Sequence, residues 1–159
     1  MYLYILRHGI AVDSSEWSGD ELRPLTPEGK TRTEQIIKEL KAKDKLKVTA
    51  IWSSPFIRAM QTAQIAGEVL GLPVKTVPEM SCGTTLQLLQ DAFKPLKRLP
   101  ERLMLVGHEP DCGLIIGALI GDQNGDYALK KAGIALLKGD FQSGGMKLVW
   151  KLDPKDILK

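Results

Sequence analysis

The sequence predicts an α/β fold, a three-layer α/β/α sandwich around a mostly parallel, mixed sheet. Short apolar runs alternate along the chain with segments in which apolar residues recur at every third or fourth position. That alternation is typical of strands joined by crossover helices in a parallel sheet. The last two apolar runs, 134–137 and 147–152, are joined through Ser143-Gly144-Gly145. They are expected to form a hairpin, which makes the predicted sheet mixed.

Length and composition indicate the class of protein. The 159 residues predict a single domain, 1–159. Apolar residues make up 43% and charged residues 26%, as in ordinary globular proteins. No apolar run approaches the ~20 residues of a membrane span. The N-terminus does not resemble a signal peptide either. We therefore expect a cytoplasmic protein in which Cys82 and Cys112 are reduced thiols. A formal charge of +3 is too small to indicate nucleic-acid binding.

The first βα unit has clear boundaries. Residues 2–7 are predicted to be a strand, and residues 10–25 a polar loop. Thr26 then caps a helix, with Pro27 at its first position and Glu28 near its positive end. The buried stripe of this helix is predicted to consist of Thr33, Ile36, Ile37 and Leu40.

The middle of the chain continues the alternation. Ser54-Pro55 is predicted to start the second helix and Gly71 to end it. The helix that follows is expected to stop before Pro95. The predicted strands are 48–52, 74–77 and 102–106, and the predicted helices are 54–70, 84–93 and 111–120.

Basic side chains follow three of the predicted strands. Arg7 and His8 end the first strand, Arg58 follows the second, and His108 follows the fourth. The carboxyl ends of parallel strands are where open α/β sheets bind ligands. These four residues, which include both histidines of the chain, are therefore expected to converge on one anion site, and phosphate is the simplest candidate.

Two local features favour an anion at this place. Arg58 falls in the first turn of its helix, where the helix dipole is already positive, so a bound anion would offset the unfavourable placement of the cation. Gly9 permits a bend after the first strand and a close approach of the backbone to a ligand.

Three motifs resemble those of a known family. Leu6-Arg7-His8-Gly9 resembles the signature of the histidine phosphatase superfamily, which contains phosphoglycerate mutases and acid phosphatases. Residues 53–63 resemble its second motif, and Val106-Gly107-His108 resembles its third. Residues 23–29 and 54–59 are most similar to the short SixA-type phosphohistidine phosphatases of that superfamily. The ordered set spans nearly the whole chain.

The resemblance implies a phosphoglycerate mutase-like fold and a catalytic role for four residues. His8 would be the nucleophile and form a transient phosphohistidine. Arg7, Arg58 and His108 would bind the oxygens of the transferred group. Because side chains supply the positive charge, no metal or other cofactor is expected.

Four further residues are candidates for the same site. Many superfamily members have a carboxylic acid after the second motif, and Glu79 matches it by order. A phosphate ester needs such an acid, whereas a phosphoimidazole can leave as neutral imidazole. Gly9, Arg23 and Glu109 are expected to line the substrate pocket, Arg23 because the loop 10–25 can fold over it.

The resemblance implies a partner protein that carries phosphohistidine, such as a phosphotransfer domain in signal transduction. Neither nucleic acid nor a membrane is expected as a partner. Two alternatives stay open at this point. One is a broad small-molecule phosphomonoesterase, or a mutase, of the same superfamily. The other is a non-catalytic module that binds phosphate or phosphohistidine.

Overall fold

Six strands form one mixed sheet in the computed structural model, which describes all 159 residues. The strand order is β3-β2-β4-β1-β5-β6, with parallel pairing from β3 to β1 and antiparallel pairing from β1 through β5 to β6. The strands are β1 Tyr2–Arg7, β2 Ala50–Ser53, β3 Val74–Thr76, β4 Arg102–Gly107, β5 Ile134–Gly139 and β6 Met146–Leu152.

Five α-helices accompany the sheet. They are α1 Pro27–Ala42, α2 Ile57–Leu70, α3 Leu86–Phe93, α4 Asp111–Ile120 and α5 Pro154–Ile157. No helix combines the length and apolar character that a bilayer crossing requires.

Both faces of the sheet are covered, which gives the three layers that the sequence predicts. In β1, Leu3 and Ile5 belong to the core shared with α3 and α4. Tyr4 and Leu6 point to the opposite face and belong to the core shared with α1 and α2. Buried residues therefore run continuously along β1, as expected of a strand covered on both sides. The predicted fold class is confirmed.

The first helix follows its sequence signals. The Thr26 hydroxyl accepts a hydrogen bond from the Gly29 N–H over 2.9 Å, and Pro27 is the first helical residue. The predicted stripe of this helix is buried and packs against the sheet. It consists of Thr33, Ile36, Ile37 and Leu40.

The predicted start of α2 at Ser54 was wrong, because the helix begins at Ile57. The Ser54 N–H still bonds across the sheet to the Val106 carbonyl, 3.0 Å away. A residue before proline also avoids the helical conformation, which holds Ser54 extended ahead of Pro55. The helix ends where predicted, at the left-handed Gly71.

The other predicted boundaries lie within two residues of the observed ones. β2 begins at Ala50 rather than at 48, and β3 ends at Thr76. The helix predicted from 84 begins at Leu86, because Thr85 caps it. The loop 10–25 contains two short 3-10 turns, and the four-residue α5 was not predicted.

Candidate active site

Three strand ends bring the predicted residues together at one edge of the sheet. Arg7 pairs with Gly107 in the register of β1 and β4, and Ser53 pairs with Val106 in that of β2 and β4. The His8 N–H then donates to the Gly107 carbonyl over 3.0 Å. As a result, the rings of His8 and His108 lie with their centroids 5.4 Å apart.

His8 is held as a neutral imidazole with one nitrogen free. Its Nδ1 lies 2.7 Å from the Gly9 carbonyl oxygen, which can only accept, so Nδ1 carries the proton. The lone pair is therefore on Nε2. Burial lowers the pKa of His8 to about 3, and the positive charges of Arg58 and Arg7 act in the same direction. The ring is thus uncharged at neutral pH.

His108 is fixed by a serine of the second motif. Its Nε2 lies 2.7 Å from Ser54 Oγ, and that oxygen already accepts a bond from the Phe56 N–H at 3.2 Å. We assign the serine proton to the bond with Nε2, because the hydroxyl has no other acceptor among its contacts. His108 then carries its own proton on Nδ1. Burial lowers the pKa of His108 to about 4, with the nearby charge of Arg58 contributing.

Arg58 is almost fully buried although it is a charged residue, with 4% of its surface exposed. Its Nη1 donates to the Asp20 carbonyl at 2.8 Å, and its Nη2 donates to Asp20 Oδ2 at 3.1 Å. The guanidinium also lies 5.2 Å from the ring centre of Phe56, which itself packs edge-on against His108. Arg58 therefore combines a charge with a fixed orientation beside the histidines.

Three buried N–H groups in this cluster have no acceptor in the protein. Arg7 donates through Nη1 to the Leu129 carbonyl at 2.9 Å, but its Nε has no partner. Arg58 Nε and His108 Nδ1 are unpartnered as well. Unsatisfied buried donors are costly, so a cluster of three indicates a site for an acceptor-rich ligand. The tetrahedral oxygens of a phosphoryl group have that character.

Gly9 lies in contact with both α1 and α2. Its N–H donates to Thr62 Oγ1 at 3.0 Å, and the Thr62 hydroxyl donates to the Arg58 carbonyl at 2.8 Å. These bonds fix the first motif to the second. A side chain at Gly9 would meet Thr33 and the backbone of Gly29, so the close approach at this glycine is to α1.

The loop 10–25 does lie over the cluster. Arg23 bonds to the Val12 carbonyl at 2.8 Å and to Asp20 Oδ1 at 3.2 Å. Asp20 in turn contacts Arg58, so the loop reaches the site through a carboxylate. Burial alone would raise the pKa of Asp20, but Arg58 and Arg23 outweigh it and leave the pKa below its usual value.

The two predicted glutamates sit apart from the unpartnered donors. Both oxygens of Glu109 accept backbone bonds, from the Gly113 N–H at 2.9 Å and the Leu129 N–H at 2.7 Å. Glu109 thus braces α4 against the segment that Arg7 contacts. Glu79 is exposed in a short 3-10 turn and forms no hydrogen bond or ion pair with any residue of the site.

Sequence reasoning missed three residues that shape this site. Ser54 and Thr62 lie within the second motif, but nothing in their spacing showed that their hydroxyls bind His108 and Gly9. Asp20 precedes Arg23 by three residues, and this spacing was the only available signal. Its contact with Arg58 spans 38 positions of the chain, a distance over which side-chain periodicity carries no information.

The cysteines do not offer an activated thiolate. Burial raises the pKa of the Cys82 thiol and holds that of Cys112 well above its usual value. Both are free thiols. No group of three or more His, Cys, Asp or Glu side chains is arranged to hold a metal ion.

Comparison with known proteins agrees with this α/β architecture. The sequence matches the model of the histidine phosphatase superfamily (branch 1) over residues 3–84, just over half of the chain. The chain belongs to this superfamily, which is a superfamily of phosphatases.

Individual relatives resemble the chain over most of their length. An uncharacterized protein of a Picosynechococcus species is 39% identical over 141 residues, which cover 87% of this chain and 85% of the relative. The phosphohistidine phosphatase SixA of Escherichia coli is 27% identical over 160 residues, covering 99% and 96%. A solved structure of the protein histidine phosphatase SixA with tungstate superposes with a TM-score of 0.83 at 26% identity, over the full length of both chains.

Proposed function

We propose that this protein removes phosphate from phosphohistidine on a partner protein, through a phosphohistidine intermediate on His8. One observation carries the proposal. A buried, neutral histidine with a free Nε2 lies among three buried N–H donors that have no acceptor in the protein. A nucleophile beside preorganised donors is the arrangement that phosphoryl transfer needs.

The proposed first step transfers the phosphoryl group to the enzyme. The lone pair of His8 Nε2 attacks phosphorus, and the bond between phosphorus and the substrate imidazole breaks. That imidazole leaves neutral when its other nitrogen carries a proton. Arg7, Arg58 and His108 stabilise the equatorial oxygens during the transfer. The bond from His8 Nδ1 to the Gly9 carbonyl keeps the ring oriented and stabilises the positive charge that it gains.

The second step hydrolyses the intermediate. Water attacks the phosphorus, the bond to His8 Nε2 breaks, and inorganic phosphate leaves with the neutral histidine regenerated. The donors that served in the first step serve again, since the oxygens occupy the same positions. The side chains supply the positive charge for both steps, so we propose that neither needs a metal ion.

The protein substrate is favoured by relatives and by the surroundings of the nucleophile. The relatives named as phosphohistidine phosphatases cover nearly the whole chain. A relative of the same fold is solved in complex with tungstate, a tetrahedral oxyanion, which supports a phosphoryl site in this chain. The exposed Glu79 forms no contact with the site, which fits a leaving group that needs little protonation. Free thiols at Cys82 and Cys112 suit the cytoplasmic location that we propose.

The general acid has its own test. An acid at Glu79 would make Glu79→Gln slow hydrolysis of an aryl phosphate more than hydrolysis of phosphohistidine, because only the ester leaves as an anion that takes up a proton. From the exposed position of Glu79 away from the site we expect equal effects instead. Initial rates on the two substrates measure the difference. Equal effects on both would exclude Glu79 as the acid.

The main experiment compares wild type with His8→Ala on a phosphohistidine-carrying protein and on p-nitrophenyl phosphate. We expect preference for the phosphoprotein, complete loss of turnover in the variant, and an acid-labile phosphoenzyme in wild type only. Circular dichroism checks that the variant is folded. Normal turnover by His8→Ala would overturn the mechanism.

Two other outcomes would replace the proposal. Preference for the small ester would indicate a general phosphomonoesterase or a mutase. Phosphate binding without turnover of either substrate, and without a labelled intermediate, would indicate a binding module.

A further inference from the structure

A basic cleft of about 580 Å³ opens beside the catalytic groups. Three elements and one connecting segment form it: the end of β1, the first half of α1, the start of α5, and the residues before β5. Its charged lining consists of Arg7, Arg32, Lys130, Lys131, Lys155 and Asp153. Arg7 belongs to both the cleft and the proposed active site, so the two adjoin at this residue.

The lysine segment is bonded directly to the strand end that carries the nucleophile. The Ala132 N–H donates to the His8 carbonyl at 3.0 Å, and the Arg7 N–H donates to the Gly133 carbonyl at 3.0 Å. Lys130 and Lys131 precede these contacts immediately. A molecule that touches the two lysines therefore lies next to the residue that would receive the phosphoryl group.

The cleft concentrates the positive charge of the protein. Five cations and one carboxylate line it, a balance of +4, whereas the whole chain carries only +3. Lys130, Lys131 and Lys155 are exposed and form no ion pair within the protein, while Lys38, Lys43, Lys47 and Lys94 all pair with neighbouring carboxylates. The charges of these three lysines are therefore not neutralised within the protein and can contact a partner.

The lining favours a protein over a small ligand. Small-molecule pockets are lined mostly by apolar and aromatic side chains with a few polar groups. This cleft contains no aromatic residue, most of its lining residues are charged, and its three lysines are exposed. Exposed lysines act over a distance and guide an oppositely charged surface into place.

We propose that the basic cleft docks an acidic surface of the phosphohistidine-carrying protein, next to the phosphorylated residue. This inference rests on the proposed function and deepens it, since it names the charge of the partner. Docking there would hold the partner through Lys130, Lys131 and Lys155 while its phosphohistidine reaches His8.

The test uses two synthetic phosphohistidine peptides that differ only in their flanks, one glutamate-rich and the other glutamine-rich. We expect wild type to prefer the glutamate-rich peptide by about tenfold in kcat/KM at low salt, and to lose the preference in high salt. Lys130→Glu/Lys131→Glu should abolish the preference. Lys155→Glu, on a different element, should weaken it. Hydrolysis of free phosphohistidine should stay within about twofold in both variants, by the small effect of exposed charges away from the site.

A matched control separates docking from net charge. Lys97→Glu/Arg98→Glu makes the same change of charge at another exposed adjacent pair. This pair precedes the amino-terminal end of β4, whereas the site lies at the carboxyl end of that strand. The control should therefore leave the preference intact. A preference that survives Lys130→Glu/Lys131→Glu, or that disappears equally in the control, would overturn the proposal.

Fluorescence anisotropy measures binding of the unphosphorylated glutamate-rich peptide. This measurement distinguishes failure of the docking proposal from failure of the proposed phosphatase function. Binding that needs Lys130 and Lys131, without hydrolysis of any phosphohistidine, would support docking and overturn the phosphatase activity. Tighter binding of inorganic tripolyphosphate than of the peptide, with the same dependence on the lysines, would overturn docking in favour of a small polyanion site.

Discussion

At the scale of single residues, the main feature is a histidine whose surroundings suit its proposed role as nucleophile. The Gly9 carbonyl fixes the proton of His8 on Nδ1, and burial keeps the ring neutral. A protonated imidazole could not attack phosphorus, so both effects act on the same atom, Nε2. The fixed bond sets the tautomer, and the low pKa keeps that tautomer populated at neutral pH.

Arg58→Ala removes one of the donors proposed to face the phosphoryl oxygens. We expect kcat/KM for phosphohistidine to fall by about 10²–10³, the scale measured for loss of one oxyanion donor. Steady-state kinetics checks this, with the exposed Arg98→Ala as control. A loss below about threefold, small against that scale, would show that Arg58 lies outside the working site.

Asp20 occupies part of the guanidinium that we propose for phosphate binding. Its carboxylate accepts from Arg58 Nη2 at 3.1 Å and is ionised at neutral pH, since its pKa is below the usual value. We expect Asp20→Asn to tighten inhibition by inorganic phosphate by about two- to fivefold, the scale of a partly exposed ion pair. Asp13→Asn changes the same charge in the same loop and should have no effect. Weaker inhibition in Asp20→Asn would mean that Asp20 positions Arg58 instead of competing.

At the scale of elements, the site depends on how closely α1 approaches the loop after β1. A Cβ at Gly29 would overlap the carbonyl oxygen of Ile10, and Gly9 faces Thr33 on the same helix. The Thr26 N–H also bonds to that Ile10 carbonyl at 3.0 Å. These contacts seat the first turn of α1 against the strand end that carries the histidine.

Gly29→Ala should therefore push α1 away from β1. We expect it to lower the free energy of unfolding by about 1–3 kcal/mol, the range for an overpacked site. Gly107→Ala is the matched control, because a Cβ there would meet Cys112 and Met80 at ordinary distances of 3.6 and 3.7 Å. Urea unfolding of the two variants measures the contrast. Equal stabilities would contradict the close-approach argument.

At the scale of the whole molecule, the two buried histidines couple stability to pH. Their pKa values are about 3 and 4 in the folded protein, against 6.5 for an ordinary histidine. Below pH 6.5 the unfolded chain binds protons that the folded chain does not, so stability falls as pH falls. We expect each histidine to contribute a slope approaching about 1.4 kcal/mol per pH unit in that range.

Urea unfolding between pH 7 and pH 5 checks this expectation. His8→Asn removes one of the two titrating groups, so its slope should be about half that of wild type. NMR titration of the ring protons would show directly whether the folded histidines stay neutral across the range. A variant with the wild-type slope would show that the loss of stability has another source.

Much of the molecule was determined by the sequence itself. The alternation of strand and helix patterns, the cap at Thr26 and the stop at Gly71 are local signals, and the structure follows them. The three motifs follow β1, β2 and β4, and this was enough to predict that both histidines meet Arg7 and Arg58, because the carboxyl ends of parallel strands share one edge. These features depend on neighbouring residues or on sheet topology, and a sequence encodes both directly.

Tertiary structure alone decided the contacts between distant segments. The bond from Ser54 to His108 joins residues 54 positions apart, and the pairing of Asp20 with Arg58 spans 38. The start of α2 moved to Ile57 because Ser54 is held by β4, a strand much later in the chain. The basic cleft likewise gathers charges from four parts of the chain. Such contacts arise from packing in three dimensions, and no local pattern of residues specifies them.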